Sequence, residues 1–162
     1  APVTRAFRDA FEQEFTRRQA GPAVVALRDE LARSGLRERD PDAYRQRLFE
    51  VSVAGYFADP HRARDLTPFR VTGRVQQSIW SSLGDYDLVP ALRDLRLPAF
   101  VVHGRQDPIP LASSEAVAQA LGAKLLVLED CGHVPYVEQA AELFPPLLAF
   151  LKHPDGSPPV DN

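Results

Sequence analysis

The stretch LPAFVVHGRQDPIP, residues 97–110, decides the fold of this chain. It joins an apolar run to a turn, an aspartate and two prolines. The run at 97–102 is apolar on both faces, which is typical of a central strand in a parallel sheet. Asp107 follows this strand, and functional groups collect at the carboxyl ends of parallel strands. The stretch therefore predicts an α/β sheet with a carboxylate at its carboxyl edge.

A second apolar run, KLLVL at 124–128, has the same character and predicts a second strand. Between the two runs, residues 113–121 have a helical pattern that Gly122 is suited to close. A strand, a loop, a helix and a strand in this order form a right-handed crossover between parallel strands. Another helix is expected to run from near Glu138 to Lys152, with a kink or break at Pro145 and Pro146.

The loop after the second strand, EDCGHVP at 129–135, contains His133. Because the crossover brings the ends of both strands to one edge, we expect Asp107 and His133 to lie there together. A carboxylate in this position can orient an imidazole and stabilise its protonated form, while the imidazole takes a proton from a nucleophilic hydroxyl. Taken singly, Asp107 fits Asp-Pro turn chemistry and His133 fits an ordinary loop histidine. The pairing is what favours catalysis.

The segments HGRQDPIP and GHVPYVEQ, with 26 positions between Asp107 and His133, resemble the acid loop and histidine loop of the α/β-hydrolase superfamily. The longer stretch SLGDYDLVPALRDLRLPAFVVHGRQDPIP is most similar to the proline iminopeptidase-like branch and to related esterase and lactone-hydrolase branches. The resemblance covers about residues 82–151. It implies a serine hydrolase of esters, lactones or N-terminal peptide bonds, with Asp107 as orienting acid, His133 as general base and no cofactor.

The sequence departs from this family at the nucleophile. These enzymes carry it in a G-x-S-x-G turn ahead of the acid and the histidine. No two of the nine glycines stand four positions apart, so the chain contains no such turn and no nucleophile is assigned. We therefore expect the lid and the C-terminal part of a hydrolase, inactive alone. Two alternatives stay open, a non-catalytic binding or oligomerisation module and a half-enzyme whose nucleophile lies on another polypeptide.

The first part of the chain is predicted to be a helical lid, on its position alone. Phe7, Phe11 and Phe15 recur every four residues, which indicates one face of a helix. Helix boundaries are expected at Gly21-Pro22, Gly35 and Asp40-Pro41, and a further helix at 71–83, with Ile79 and Trp80 facing inward. The predicted division is a lid at 1–84, an α/β-hydrolase segment at 85–152 and a flexible tail at 153–162.

Other polar residues near the two loops have structural interpretations. Ser113 and Ser114 fit the capped start of a helix better than a nucleophile. Cys131 lacks any sign of the sharp turn and oxyanion hole that a nucleophile needs. His103 is expected to be structural, at a strand end and hydrogen-bonded to backbone. His61 and His153 are expected at the surface.

Composition excludes several classes of function. The net charge is −3 with dispersed arginines, which argues against nucleic acid, and no run of about 18 apolar residues suggests a membrane span. One cysteine and four scattered histidines give no metal motif. We expect a cytoplasmic protein whose complete form takes a small-molecule or short peptide substrate. The strand around 100–103 should associate with the missing N-terminal hydrolase portion or with a second copy.

Overall fold

The computed structural model describes residues 2–66, 78–79 and 81–154. The helical half contains α1 (Arg5–Gln19), α2 (Pro22–Arg33), α3 (Leu36–Arg39) and α4 (Pro41–Val53), followed by 3₁₀ turns at Ala54–Tyr56 and Pro60–Asp65. The second half contains α5 (Val89–Arg93), β1 (Phe100–Gly104), α6 (Leu111–Leu121), β2 (Lys124–Leu128), α7 (Pro135–Glu138) and α8 (Ala140–Lys152).

The helix ends follow the local signals in the sequence. Asp40 caps α4, since its side chain accepts a hydrogen bond of 3.0 Å from the Ala43 N–H, and Pro41 occupies the first turn. Gly35 and Gly122 follow α2 and α6 with φ of 63°, a left-handed conformation in which a side chain is strained. These predicted boundaries are confirmed.

The sheet positions both candidate loops at one edge. Strands β1 and β2 are parallel and in register, from Phe100 opposite Lys124 to Gly104 opposite Leu128. Both strands therefore end at the same level. The strand begins three residues later than the apolar run suggested, and Leu97 is 56% exposed. Because β2 begins at Lys124, directly after Gly122 and Ala123, β1 finds no partner before Phe100.

Helices cover the two faces of this sheet. His103 contacts Ser114 on α6, whereas the ring of Phe100 stacks on Phe150 of α8 at 5.6 Å. Val102 also packs against a cluster that includes Leu143 of α8. Side chains alternate between faces along a strand, so α6 covers one face of β1 and α8 the other. The result is a helix–sheet–helix arrangement, an α/β fold with a small parallel sheet.

The larger hydrophobic core connects the helical half to the histidine loop. It contains buried residues of α2, α4 and the 3₁₀ turns together with Val134, which follows His133. Val134 is 9% exposed. The loop that carries the candidate base is therefore packed against the helical half as well as against the sheet.

The structure differs from the helix predictions at Ile79 and in the last helix. Ile79 is 53% exposed and does not face inward, while residues 71–77 and Trp80 of that predicted helix lie outside the described residues. Of the kink or break predicted at Pro145 and Pro146, the break is wrong. The helix runs unbroken from Ala140 to Lys152 with both prolines inside it, so the two N–H groups that they lack do not end it. The helical conformation is interrupted instead at Gln139, which lies between α7 and α8.

Within the described ranges, none of the helices combines the length and the apolar character needed to cross a bilayer. Residues 155–162 of the predicted tail lie outside those ranges.

Candidate active site

Asp107 and His133 form a hydrogen-bonded pair beyond the ends of the two strands. The Nδ1 atom of His133 lies 2.7 Å from Oδ2 of Asp107, although 26 positions separate the residues. Asp107 reaches this place through a turn after β1, in which its N–H donates to the Gly104 carbonyl at 2.9 Å. The predicted meeting of these two side chains at one sheet edge is present in the structure.

The environment of the pair differs between its two members. The Asp107 side chain is 7% exposed, and its second oxygen, Oδ1, accepts a hydrogen bond of 2.8 Å from the Ile109 N–H. The His133 side chain is 39% exposed. An ionised Asp107 can only accept, so it selects the imidazole tautomer with the proton on Nδ1 and leaves the Nε2 lone pair free. Nε2 of His133 can therefore act as a base towards a hydroxyl group that approaches it.

Two glycines allow the segments around the pair to approach closely. A Cβ atom on Gly104 would lie 2.0 Å from the Gly132 carbonyl oxygen, and one on Gly132 would lie 2.2 Å from the Tyr56 carbonyl oxygen. Neither approach leaves room for a side chain. The acid loop, the histidine loop and the first 3₁₀ turn of the helical half are thus stacked backbone to backbone.

Glu138 holds the backbone on both sides of His133. Its Oε2 atom accepts hydrogen bonds from the N–H groups of Gly132 at 2.9 Å and Val134 at 3.4 Å. Its Oε1 atom accepts one of 2.7 Å from Ala58 in the helical half. Burial raises the pKa of this carboxyl, against the three backbone donors, which lower it. Sequence reasoning missed Glu138, and its only signal was a carboxylate five positions after His133.

Tyr56 places an aromatic ring beside the imidazole. Its ring centre lies 5.1 Å from that of His133, and its carbonyl accepts a hydrogen bond of 2.7 Å from the His133 N–H. Phe11 and Phe15 of α1 contact the same ring at 5.9 and 4.5 Å. Burial, with a smaller effect of the nearby Asp107 charge, raises the pKa of Tyr56. The predicted apolar face of α1 is therefore directed at the histidine loop.

The serines at the start of α6 do not cap it, contrary to the sequence prediction. The helix begins at Leu111, so both serines lie inside its first turn, where their hydroxyls face other elements. Ser113 is 1% exposed and accepts a hydrogen bond of 3.0 Å from the Val3 N–H. Ser114 lies 2.9 Å from Nδ1 of His103. Neither serine contacts His133 through a hydrogen bond of the described residues.

His103 is buried, as expected of a structural residue, but its hydrogen-bond partner is not the one predicted. It is 4% exposed and bonds the Ser114 hydroxyl rather than backbone, because its side chain points from β1 towards α6. Its Nε2 atom has no hydrogen-bond partner among the described residues. Burial lowers the pKa of this imidazole. His61 is exposed, as predicted, whereas His153 is half-buried at the end of α8.

Cys131 lacks the properties of a nucleophile. The residue is fully buried, and burial raises the pKa of its thiol to about 12. A nucleophilic cysteine needs a thiolate and access to substrate, and neither is available here. No group of three His, Cys, Asp or Glu side chains in the described part of the chain could hold a metal ion.

Comparison with known proteins gives one family and one curated relative. The sequence profile of the alpha/beta hydrolase family matches residues 3–145. A pimeloyl-[acyl-carrier protein] methyl ester esterase of Aromatoleum aromaticum is 42% identical over 57 residues, which is 34% of this chain. The chain spans 23% of the length of this curated relative. No solved structure matches the chain.

Proposed function

Because the chain belongs to the alpha/beta hydrolase family, we propose that Asp107 and His133 are the acid and the general base of a serine hydrolase that cleaves esters by acyl transfer. The serine would come from a segment outside these 162 residues, since the sequence has no G-x-S-x-G turn. Residues 1–84 act as the lid in this proposal, and residues 85–152 as the C-terminal part of the hydrolase.

The observation that carries the proposal is the 2.7 Å contact between His133 Nδ1 and Asp107 Oδ2. Nε2 of His133 takes the proton of the serine hydroxyl while the serine oxygen attacks the carbonyl carbon of the ester. The imidazolium then gives that proton to the departing alcohol, and the acyl group stays on the serine. A water molecule, deprotonated by His133 in the same way, then attacks the acyl-serine. The serine regains its proton and the acid is released. Asp107 keeps its negative charge throughout and stabilises the imidazolium.

Ester chemistry is preferred over the other reactions that the sequence pattern allowed. The curated relative is a methyl ester esterase, which supports an ester rather than a lactone or an N-terminal proline peptide as the substrate. The aromatic side chains around Tyr56, on the lid side of His133, support an apolar acyl group. The first observation bears on the bond that is cleaved, and the second bears only on the acyl group.

The test compares two forms of the protein. One is this chain, and the other is the complete reading frame in which these residues occur, or this chain mixed with the separately expressed portion that precedes it. Hydrolysis of p-nitrophenyl butyrate and of proline p-nitroanilide would be measured for both, each with a His133→Ala control. We expect ester turnover that depends on His133 in the longer form only.

Three outcomes would contradict the proposal. Turnover by this chain alone that disappears in the His133→Ala control would show that a nucleophile lies within it. Ester turnover by the longer form that is unchanged in the control would remove His133 from the base role. Absence of turnover in every form would favour the alternative, a non-catalytic binding or oligomerisation module.

A further inference from the structure

We propose that Gln106 is a positioning residue that fixes the acid loop to the histidine loop and so keeps Asp107 and His133 in register. The inference rests on the proposed function, because it assigns a role within the same acid–base pair. Gln106 directly precedes Asp107 in the chain, and nothing in the sequence pattern distinguished it from the other polar residues of the loop.

Gln106 binds both backbone groups of Cys131, two residues before His133. The Gln106 N–H donates to the Cys131 carbonyl at 2.8 Å, and the Cys131 N–H donates to the side-chain Oε1 of Gln106 at 2.9 Å. These two bonds form a closed ring between the loops. Because Cys131 is fully buried, its N–H would have no water to replace the side-chain acceptor.

The carbonyl of Gln106 connects the pair to the helical half. It accepts a hydrogen bond from the guanidinium of Arg18 on α1. Arg18 is itself held by Glu14, with 2.7 Å between its Nε atom and the carboxylate. Gln106 thus bonds the histidine loop through its N–H and side chain, and α1 through its carbonyl. Three segments that are distant in sequence meet at this residue.

Other contacts between the two loops do not replace this one. Arg105 and Glu129 form an ion pair of 2.8 Å, but the side chains are 46% and 65% exposed, so water competes with it. The close approach of Gly104 and Gly132 sets a minimum distance without any directional bond. Besides the bond from its own N–H to the Cys131 carbonyl, Gln106 supplies through its side chain a directional bond between the loops at the position next to Asp107.

The experiment measures the tautomer of His133 by long-range ¹H–¹⁵N NMR on this chain, above the pH at which the imidazole is protonated. Asp107 selects the Nδ1–H form, so the tautomer reports the pair directly, and Asp107→Asn serves as the reference for its loss. We expect Gln106→Met, which keeps the length of the side chain but has no acceptor for the Cys131 N–H, to lose the Nδ1–H signature. Gln106→Glu retains an acceptor at the same place and should keep it.

Gln119→Met on the exposed side of α6 is the matched control, since it makes the same chemical change away from the loops. Thermal unfolding of each variant separates a general loss of stability from a local one. A Gln106→Met protein that keeps the Nδ1–H tautomer would overturn the proposal. So would a folded Gln106→Glu protein that loses it, and this variant decides the matter if Gln106→Met does not fold.

The measurement needs no substrate and no nucleophile. If the longer protein shows no ester turnover while the tautomer responds to Gln106 as expected, the proposed function fails and the positioning role of Gln106 stands. If turnover depends on His133 but the His133 tautomer is the same in the wild type and in Gln106→Met, the positioning role fails and the proposed function stands.

Discussion

Gly104 and Gly132 are in such close contact that a Cβ atom on Gly104 would lie 2.0 Å from the Gly132 carbonyl oxygen. Gly104 ends β1 and Gly132 precedes His133, so this contact sets the separation of the acid loop from the histidine loop. The neighbouring atoms are backbone and cannot move aside as a flexible side chain would.

Gly104→Ala is therefore expected to destabilise the fold by about 3 kcal/mol, at the upper end of the usual range for overpacking. Gly122→Ala is the control, because Gly122 has a φ of 63° and no atom within 4 Å of the added Cβ. It should cost about 1 kcal/mol, from the left-handed backbone alone. Urea unfolding would measure both. Equal losses in the two variants would argue against the tight contact at Gly104.

Under the proposed function, His133→Ala and Asp107→Asn are expected to have large effects on ester hydrolysis by a longer form of the protein that supplies the serine. By comparison with known catalytic triads, His133→Ala should lower kcat by roughly 10³-fold or more. Asp107→Asn should lower it by about 10⁴-fold, because the amide can favour the wrong tautomer of the imidazole. Steady-state assays with p-nitrophenyl butyrate would measure both variants. A loss of only about tenfold for His133→Ala, far below the triad range, would exclude the base role.

Glu138→Gln is expected to loosen the histidine loop. Both carboxylate oxygens accept backbone hydrogen bonds, from Ala58 on one side and from Gly132 and Val134 on the other. A glutamine has one acceptor, so one side must face an NH₂ group, at an expected cost of about 1–3 kcal/mol. Hydrogen exchange at these three amides should increase at one side at least. Exchange that matches the wild type, with unchanged unfolding, would contradict the assignment.

Glu14 gives a pH dependence of known sign. Arg17, and then Arg18, lower the pKa of this carboxyl from its ordinary value of 4.5 to about 2. A lowered pKa in the folded state stabilises the protein above 4.5, and this contribution is lost as the pH falls towards 2. Because the ion pairs of Glu14 with the two arginines are partly exposed, we expect Glu14→Gln to lower the free energy of unfolding by only about 1 kcal/mol at neutral pH.

The difference between the Glu14→Gln variant and the wild type should shrink over that acidic interval. Glu30→Gln on α2, which changes an exposed carboxylate in the same way, is the control and should show a smaller difference. Urea unfolding at a series of pH values would measure the three proteins. A difference that grows as the pH falls would contradict the sign.

We also expect the isolated chain to associate. The described sheet has two strands, so β1 has one edge with no strand beside it there, and residues Phe100–Val102 are only half-buried. Leu148 and Leu151 of α8, the helix that covers β1, are 52% and 62% exposed. We propose that a second copy, or the portion carrying the nucleophile, covers this region.

Light scattering over a concentration series measures self-association, and a Leu148→Glu variant should reduce it. Glu142→Gln at the start of the same helix is the control, because it leaves the apolar residues intact. The proposal would be contradicted if the chain is a monomer at every concentration and does not bind the separately expressed portion that carries the nucleophile.

Local patterns in the sequence determined the crossover. Two apolar runs and the helix between them predicted β1, α6 and β2, because strand and helix periodicity is visible within ten residues. The same crossover brings the loop after β1 and the loop after β2 to one edge of the sheet, so the proximity of Asp107 and His133 could be predicted from topology. The glycine and proline boundaries of the helices were predicted for the same local reason.

Only the tertiary structure decided which side chains hold that partnership in place. Glu138 contacts Ala58 across 80 positions, and Gln106 contacts Cys131 across 25, so no local pattern indicates either bond. Ser113 and Ser114 resemble caps in sequence, but α6 begins before them and turns their hydroxyls towards Val3 and His103. Periodicity reports which face of an element is buried. It does not report the element against which that face packs, because that depends on how distant segments fit together.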